Sequence, residues 1–111
     1  MNFIQTLHFN KSKNPYKDCF GWAAPEYHLM SWALSCLQLK KIYNQVDLYC
    51  NDEAANLLVD ELNLPYNNIQ RSHNTLHIID ERLWALPKIY TYSLQNEPFL
   101  HVDGDVFLFK E

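Results

Sequence analysis

The spacing of hydrophobic and polar residues changes several times along this chain, and each change predicts a different element. Short apolar runs and alternation predict strands at residues 3–9, 46–50, 66–72 and 98–109. Apolar residues that recur every three or four positions predict helices at residues 25–42, 52–62 and 84–95. Such alternation is typical of an α/β fold, with a mostly parallel, Rossmann-like sheet and helices on both faces.

The first predicted helix has clear end signals and a clear buried face. Pro25 suits its first position, and Lys40 and Lys41 suit the negative end of its dipole. Trp32 and Cys36 lie on the apolar stripe, so we expect both side chains in the core.

Right-handed crossovers favour the strand order 3-2-1-4. The direction of the crossovers then reverses between the first and fourth strands, and the carboxyl ends of those strands face one crevice. One of these ends is Phe9 with Asn10, and the other is Val102 with Asp103. Open α/β sheets bind ligands in such a crevice, so we expect a binding site here.

The fourth strand ends in the sequence Asp103-Gly104-Asp105. Two nearby carboxylates repel each other, and such pairs tend to persist where a cation or polar ligand compensates them. Carboxylate oxygens suit Mg²⁺ or Mn²⁺, which would neutralise a diphosphate. Gly104 permits a tight bend and leaves room for a ligand to approach. The plain alternative is a solvated turn between two strands.

Other side chains near this crevice have both ordinary and functional interpretations. Lys88 falls in the first turn of a helix, where a positive charge is unfavourable, and this placement indicates an anion site or a lysine stem lying on a tryptophan. Trp22 is expected either to stack on a base or to cover a helix end. We predict surface or capping roles for His73 and His77, and a hydrogen bond within the sheet for His101.

Composition excludes several classes of function. The 111 residues fit one domain or part of one, and a net charge of −4 without a basic face argues against nucleic-acid binding. Two glycines cannot form a glycine-rich phosphate loop. The three cysteines are widely spaced and predict reduced thiols in a cytoplasmic protein. The sequence contains neither a signal peptide nor a run long enough to span a membrane.

The stretch of residues 99–107 resembles the D-x-D strand of GT-A-fold glycosyltransferases, in particular a group of uncharacterised bacterial members. The first strand, the helix after it and the lysine-bearing helix before the motif are also similar in arrangement. The resemblance implies a nucleotide-diphospho-sugar donor, with Asp105 bound directly to Mn²⁺ or Mg²⁺. It implies that Asp103 contacts the ribose, the sugar or the metal through water. Lys88 would approach the donor phosphate or sugar, and Phe9 and Asn10 would border the base.

In that family the acceptor-binding half and a further metal ligand follow the D-x-D strand. The resemblance therefore implies that residues 1–111 are a nucleotide-sugar-binding part that lacks the acceptor half and is inactive alone. The acceptor, the oligomeric state and any catalytic residue stay open.

Two other functions compete with this interpretation. Haloacid dehalogenase-type phosphotransferases also carry an apolar strand followed by D-x-D, and there Asp103 would be the nucleophile and Asp105 a general acid. That motif normally opens the fold, whereas here it follows about 100 residues of α/β chain. The other alternative is an α/β module that binds a nucleotide or partner without chemistry.

Overall fold

The computed structural model describes residues 2–9, 17, 23–76, 83 and 85–107. The strands are β1 (Asn2–Leu7), β2 (Val46–Cys50), β3 (Asn68–Gln70) and β4 (Phe99–His101). The α-helices are α1 (Pro25–Tyr43), α2 (Asp52–Ala55) and α3 (Leu86–Ser93). A π-helical segment, Asn56–Glu61, continues from α2, and a 3₁₀ turn, Ser72–Thr75, follows β3.

The strands of the described residues form one parallel sheet in the order β3-β2-β1-β4. This confirms the predicted α/β fold and strand order. In the register of the sheet, Ile4 of β1 lies opposite Asp47 of β2 and His101 of β4. The carboxyl ends of β1 and β4 are therefore neighbours at the same edge of the sheet.

Two successive residues of β1 show that helices cover both faces of the sheet. Gln5 donates a hydrogen bond to Ser35 of α1 at 2.9 Å, whereas Thr6 contacts Thr91 of α3 at 2.8 Å. Side chains of successive strand residues point to opposite faces. The two helices consequently sandwich β1, and side chains from both faces can reach the carboxyl end of the sheet.

The core lies between α1, β1, β2 and the α2–π segment. Trp32 and Cys36 are buried in it, as predicted. Burial raises the pKa of Cys36 to about 11 and that of Cys50 to about 12, so both are protonated thiols at neutral pH. Both are free cysteines, whereas Cys19 lies outside the described residues.

The second helix differs from the predicted regular helix. After α2 the backbone widens into the π segment, in which Leu62 N–H donates to Leu57 C=O, five residues earlier, at 3.0 Å. Leu57 and Leu58 are both buried, and Asn63 ends the segment with a positive φ of 53°. Periodicity alone does not separate an α-helix from a short π segment, because one wider turn leaves the apolar side chains on nearly the same face.

The later elements are shorter than predicted. β4 covers Phe99–His101 rather than residues 98–109, because it pairs only with the first half of β1 before the chain turns. α3 covers Leu86–Ser93 and β3 covers Asn68–Gln70. No helix among the described residues is long and apolar enough to cross a membrane.

Candidate functional site

A cleft of about 410 Å³ lies at the carboxyl ends of β1 and β4. Its walls are the end of β1, the first turns of α1, the first turn of α3 and the turn after β4. Its ionisable side chains are His8, His28, Lys88, Asp103 and Asp105. The cleft is at the point where the direction of the crossovers reverses, which is where open α/β sheets bind ligands.

The Asp-Gly-Asp turn is held against α1 by close packing at Gly104. A methyl group on Gly104 would overlap Cε2 of the Trp32 indole and would lie 2.7 Å from its Cδ2. The φ of Gly104 lies outside the left-handed region, so packing, not backbone conformation, requires glycine here. The space that we expected a ligand to use is filled by the tryptophan ring.

A buried chain of hydrogen bonds ties the same turn to the core. Tyr66 Oη donates to Gln5 Oε1 at 2.7 Å, Gln5 Nε2 donates to Ser35 Oγ at 2.9 Å, and Ser35 Oγ donates to Val106 C=O at 2.7 Å. Burial raises the pKa of Tyr66 well above its usual value, so its hydroxyl stays protonated and remains a donor. The turn is closed by a hydrogen bond from Val106 N–H to Asp103 C=O at 3.1 Å. The backbone around the two acids is therefore well supported.

Asp103 forms an ion pair inside the cleft. Lys88 Nζ lies 2.9 Å from Asp103 Oδ1, with the side chains 29% and 45% exposed. Lys88 is in the first turn of α3, where the helix dipole disfavours a cation, and the Asp103 carboxylate offsets that cost. The structure thus brings together two side chains that the sequence suggested separately for the site.

His101 lies between Thr6 of β1 and the Asp103 carboxylate. Its Nε2 lies 3.0 Å from Thr6 Oγ1, which confirms the predicted hydrogen bond within the sheet, and its Nδ1 is 3.6 Å from Asp103 Oδ1. Burial lowers the pKa of His101, Asp103 opposes that shift, and Lys88 adds to it. The imidazole is neutral at pH 7, so Lys88 is the cation that faces Asp103.

His73 is fully buried, so the predicted surface or capping role is wrong. Its Nε2 donates to Pro87 C=O at 2.7 Å, and its Nδ1 accepts from Ser72 Oγ at 3.1 Å. Burial lowers its pKa, the hydrogen bond to the Pro87 carbonyl raises it, and His8 lowers it further. The error arose because the Pro87 carbonyl is 14 positions away in sequence, and spacing to His77, which lies outside the described residues, carries no information about that contact.

Two threonines that sequence reasoning missed connect these histidines. Thr6 Oγ1 lies 2.8 Å from Thr91 Oγ1, and Thr91 Oγ1 lies 3.1 Å from His73 Nε2. Together with His101 they form a polar chain from β4 through β1 to α3. Both threonines are buried. No local signal could have found them, because an isolated threonine in an apolar segment is common in strands and helices alike.

Asp105 differs from Asp103 in its surroundings. It is exposed, and within the described part of the chain its carboxylate forms no ion pair or hydrogen bond. Among those residues no three His, Cys, Asp or Glu side chains converge as a cation site. Two carboxylates still fit Mg²⁺ or Mn²⁺, because such ions are commonly held by one or two carboxylates together with waters and substrate phosphates.

The predicted base-binding residues are placed differently from the acids. The Phe9 side chain is buried in the core, with its ring edge-on to His28 at 6.4 Å, and it does not line the cleft. Asn51 accepts from Phe9 N–H at 3.3 Å and donates to Phe9 C=O at 2.6 Å. Asn10 and Trp22 lie outside the described residues. At this end of β1 the residues that line the cleft are Thr6, Leu7 and His8.

Comparison with known proteins identifies the family of this chain but gives no information about its function. No curated protein and no solved structure matches the chain. The model of a family of unknown function, DUF6734, matches residues 1–111, and the chain therefore belongs to that family.

Proposed function

We propose that the cleft binds the diphosphate of a nucleotide-sugar donor together with Mg²⁺ or Mn²⁺, as part of a metal-dependent glycosyltransferase. The observation that carries this proposal is the placement of Asp103 and Asp105 in one cleft at the carboxyl end of a parallel sheet. A diphosphate brings negative charge to a site that already holds two carboxylates. A divalent cation between them removes that conflict and draws the diphosphate oxygens towards the acids.

The two acids have different roles in this proposal. Asp105 is exposed and uncommitted among the described residues, so it binds the cation directly. Asp103 is closer to the sheet and faces the sugar or ribose, or a water on the cation. Lys88 lies beside Asp103 and supplies a positive charge for the phosphate or the sugar. These residues bind the donor, and no residue is assigned to the transfer step.

The other wall of the cleft offers polar groups that are not carboxylates. His8, His28 and Ser31 line it, and the Ser31 hydroxyl donates to the His28 carbonyl at 2.8 Å. The Trp32 indole N–H donates to His28 Nε2 at 3.0 Å, which orients that imidazole. The His8 imidazole and the Ser31 hydroxyl oxygen can exchange hydrogen bonds with the hydroxyl groups of a sugar. This wall therefore suits the hydroxyl-bearing parts of the donor.

Calorimetric titration with UDP and with GDP, each with and without Mn²⁺, tests the proposal. We expect binding that needs the cation and that is lost in Asp105→Asn, which removes the charge but keeps the shape. Asp60→Asn is the matched control, because Asp60 is an exposed acid that does not line the cleft. Binding that ignores both Mn²⁺ and Asp105→Asn contradicts the proposal and favours a simple binding module. Phosphoryl transfer to Asp103 from a phosphate ester would instead favour the phosphotransferase.

A further inference from the structure

The Lys88 ammonium stands where a cation would contact Asp103. Its Nζ is 2.9 Å from Asp103 Oδ1, at the wall of the cleft and partly open to solvent. We propose that Lys88 is a resident counter-ion, which a divalent cation displaces from Asp103 and which then binds the diphosphate. This inference rests on the proposed function and specifies how its site is regulated.

The backbone that carries Lys88 is anchored on both sides. The preceding carbonyl, that of Pro87, accepts a hydrogen bond from buried His73 at 2.7 Å. One turn later Thr91 is held to Thr6 of β1 at 2.8 Å. The first turn of α3 is therefore fixed to the sheet, and the exchange is a rotation of the lysine side chain rather than a shift of the helix. Four methylene groups separate the ammonium from this anchored backbone, which gives it the reach for such a rotation.

The charges at the site decide what each ligand does. Without a ligand, Lys88 neutralises one of the two carboxylates of the cleft. A cation that arrives alone must compete with Lys88 for Asp103. A cation that arrives with a diphosphate offers the displaced ammonium a new partner. Metal and nucleotide consequently bind cooperatively, and by linkage each tightens the other by the same factor.

The experiment compares the wild-type chain with Lys88→Met, which keeps the length of the side chain and removes its charge. The Kd of Mn²⁺ alone, of UDP alone and of each in the presence of the other is measured by calorimetry at constant pH and salt. We expect Lys88→Met to bind Mn²⁺ alone about two- to fivefold more tightly, the range set by a partly exposed ion pair. We expect the factor by which Mn²⁺ tightens UDP to fall by a similar amount.

One control variant and one substitute variant accompany this comparison. Lys41→Met removes an exposed lysine at the end of α1, outside the cleft, and should leave every Kd unchanged. Lys88→Gln repeats the charge removal if Lys88→Met does not fold by circular dichroism. As a second readout, titration with Mg²⁺ followed by ¹H–¹⁵N NMR should move the amide signals of the first turn of α3 in the wild type.

The possible results separate the two proposals. If Asp105→Asn abolishes Mn²⁺-dependent UDP binding but Lys88→Met binds Mn²⁺ no more tightly than the wild type, the counter-ion inference is overturned and the proposed function stands. If Lys88→Met gains affinity for Mn²⁺ while no variant binds a nucleotide, the counter-ion role stands and the proposed function fails. If neither chain binds Mn²⁺, either alone or together with UDP, both are overturned.

Discussion

Acidic residues follow two of the parallel strands, and the structure uses them in opposite ways. After β2 comes Asn51-Asp52-Glu53, and α2 begins at once. Asn51 caps that helix by accepting from Ala54 N–H at 3.2 Å, and Asp52 pairs with Arg71 at 2.8 Å. After β4 comes the Asp-Gly-Asp turn, where the carboxylates cap no helix and line a cleft.

The difference shows that the element after a strand determines whether its acidic residues have a structural role or line a cleft. A helix start exposes N–H groups and a positive dipole end, which use nearby acids for structure. The turn after β4 does not need its acids for structural support. Ser35 of α1 donates a hydrogen bond to the Val106 carbonyl, and Trp32 of α1 packs against Gly104. The carboxylates of this turn line the cleft instead, where Asp103 pairs with Lys88 and Asp105 is exposed. Substitutions at the two strand ends should therefore affect stability at β2 and ligand binding at β4.

The largest expected loss of stability is at the β2 end, in Asn51→Ala. This change removes the helix cap and leaves the buried N–H and C=O of Phe9 without their partner. The free energy of unfolding should fall by about 2–4 kcal/mol, from a lost cap and unsatisfied buried groups. Urea denaturation measures it, and Asn56→Ala, an exposed site in the next segment, is the control. A loss equal to that of the control would contradict the structural role of Asn51.

At the β4 end, Gly104→Ala should cost about 1–3 kcal/mol in unfolding free energy, because the added methyl overlaps the Trp32 ring. The same change should weaken metal-dependent UDP binding, since the turn that carries both acids must shift. Trp32→Leu in the same chain opens space, so the double variant should be more stable than the two single costs predict. Thermal or urea unfolding of all four chains measures this coupling. Strict additivity would mean that the two residues do not touch.

Lowering the pH should destabilise the polar chain behind the β4 site. The pKa values of His73 and His101 are lowered in the folded state, so between those values and about 6.5 the unfolded chain binds more protons. Stability from these histidines is full above about pH 6.5 and falls as the pH drops below it. We expect the free energy of unfolding to fall as the pH drops from about pH 7.5 to about pH 5.5, measured by urea denaturation. His73→Gln should reduce this pH dependence, and an unchanged slope in that variant would contradict the assignment.

The smallest expected effect is Asp52→Asn at the β2 end. The pair between Asp52 and Arg71 is exposed, so its loss should change the free energy of unfolding by less than about 1 kcal/mol. It should leave Mn²⁺-dependent UDP binding unchanged, in contrast to Asp105→Asn at the β4 end. Denaturation and calorimetry on the same preparations compare the two. Loss of UDP binding in Asp52→Asn would break the distinction between the two strand ends.

Local pattern predicted much of this fold because it depends on neighbours in sequence. The pattern correctly predicted the apolar face of α1 with Trp32 and Cys36, the strand at Val46–Cys50 and the alternation of strands and helices. The strand order followed from the handedness of crossovers. The acids of the D-x-D motif were singled out in the same way. The π segment was not predicted, because a small change in helical pitch leaves the apolar spacing almost unaltered.

The sequence by itself determined the α/β class and the strand end that carries Asp103 and Asp105. Only the tertiary structure decided that Lys88 pairs with Asp103, that Trp32 is the reason for Gly104, and that His73 is buried behind the site. These contacts join residues that are 14 to 72 positions apart. Periodicity reports which face of an element is apolar, whereas the partner across an interface is set by how the elements pack in space.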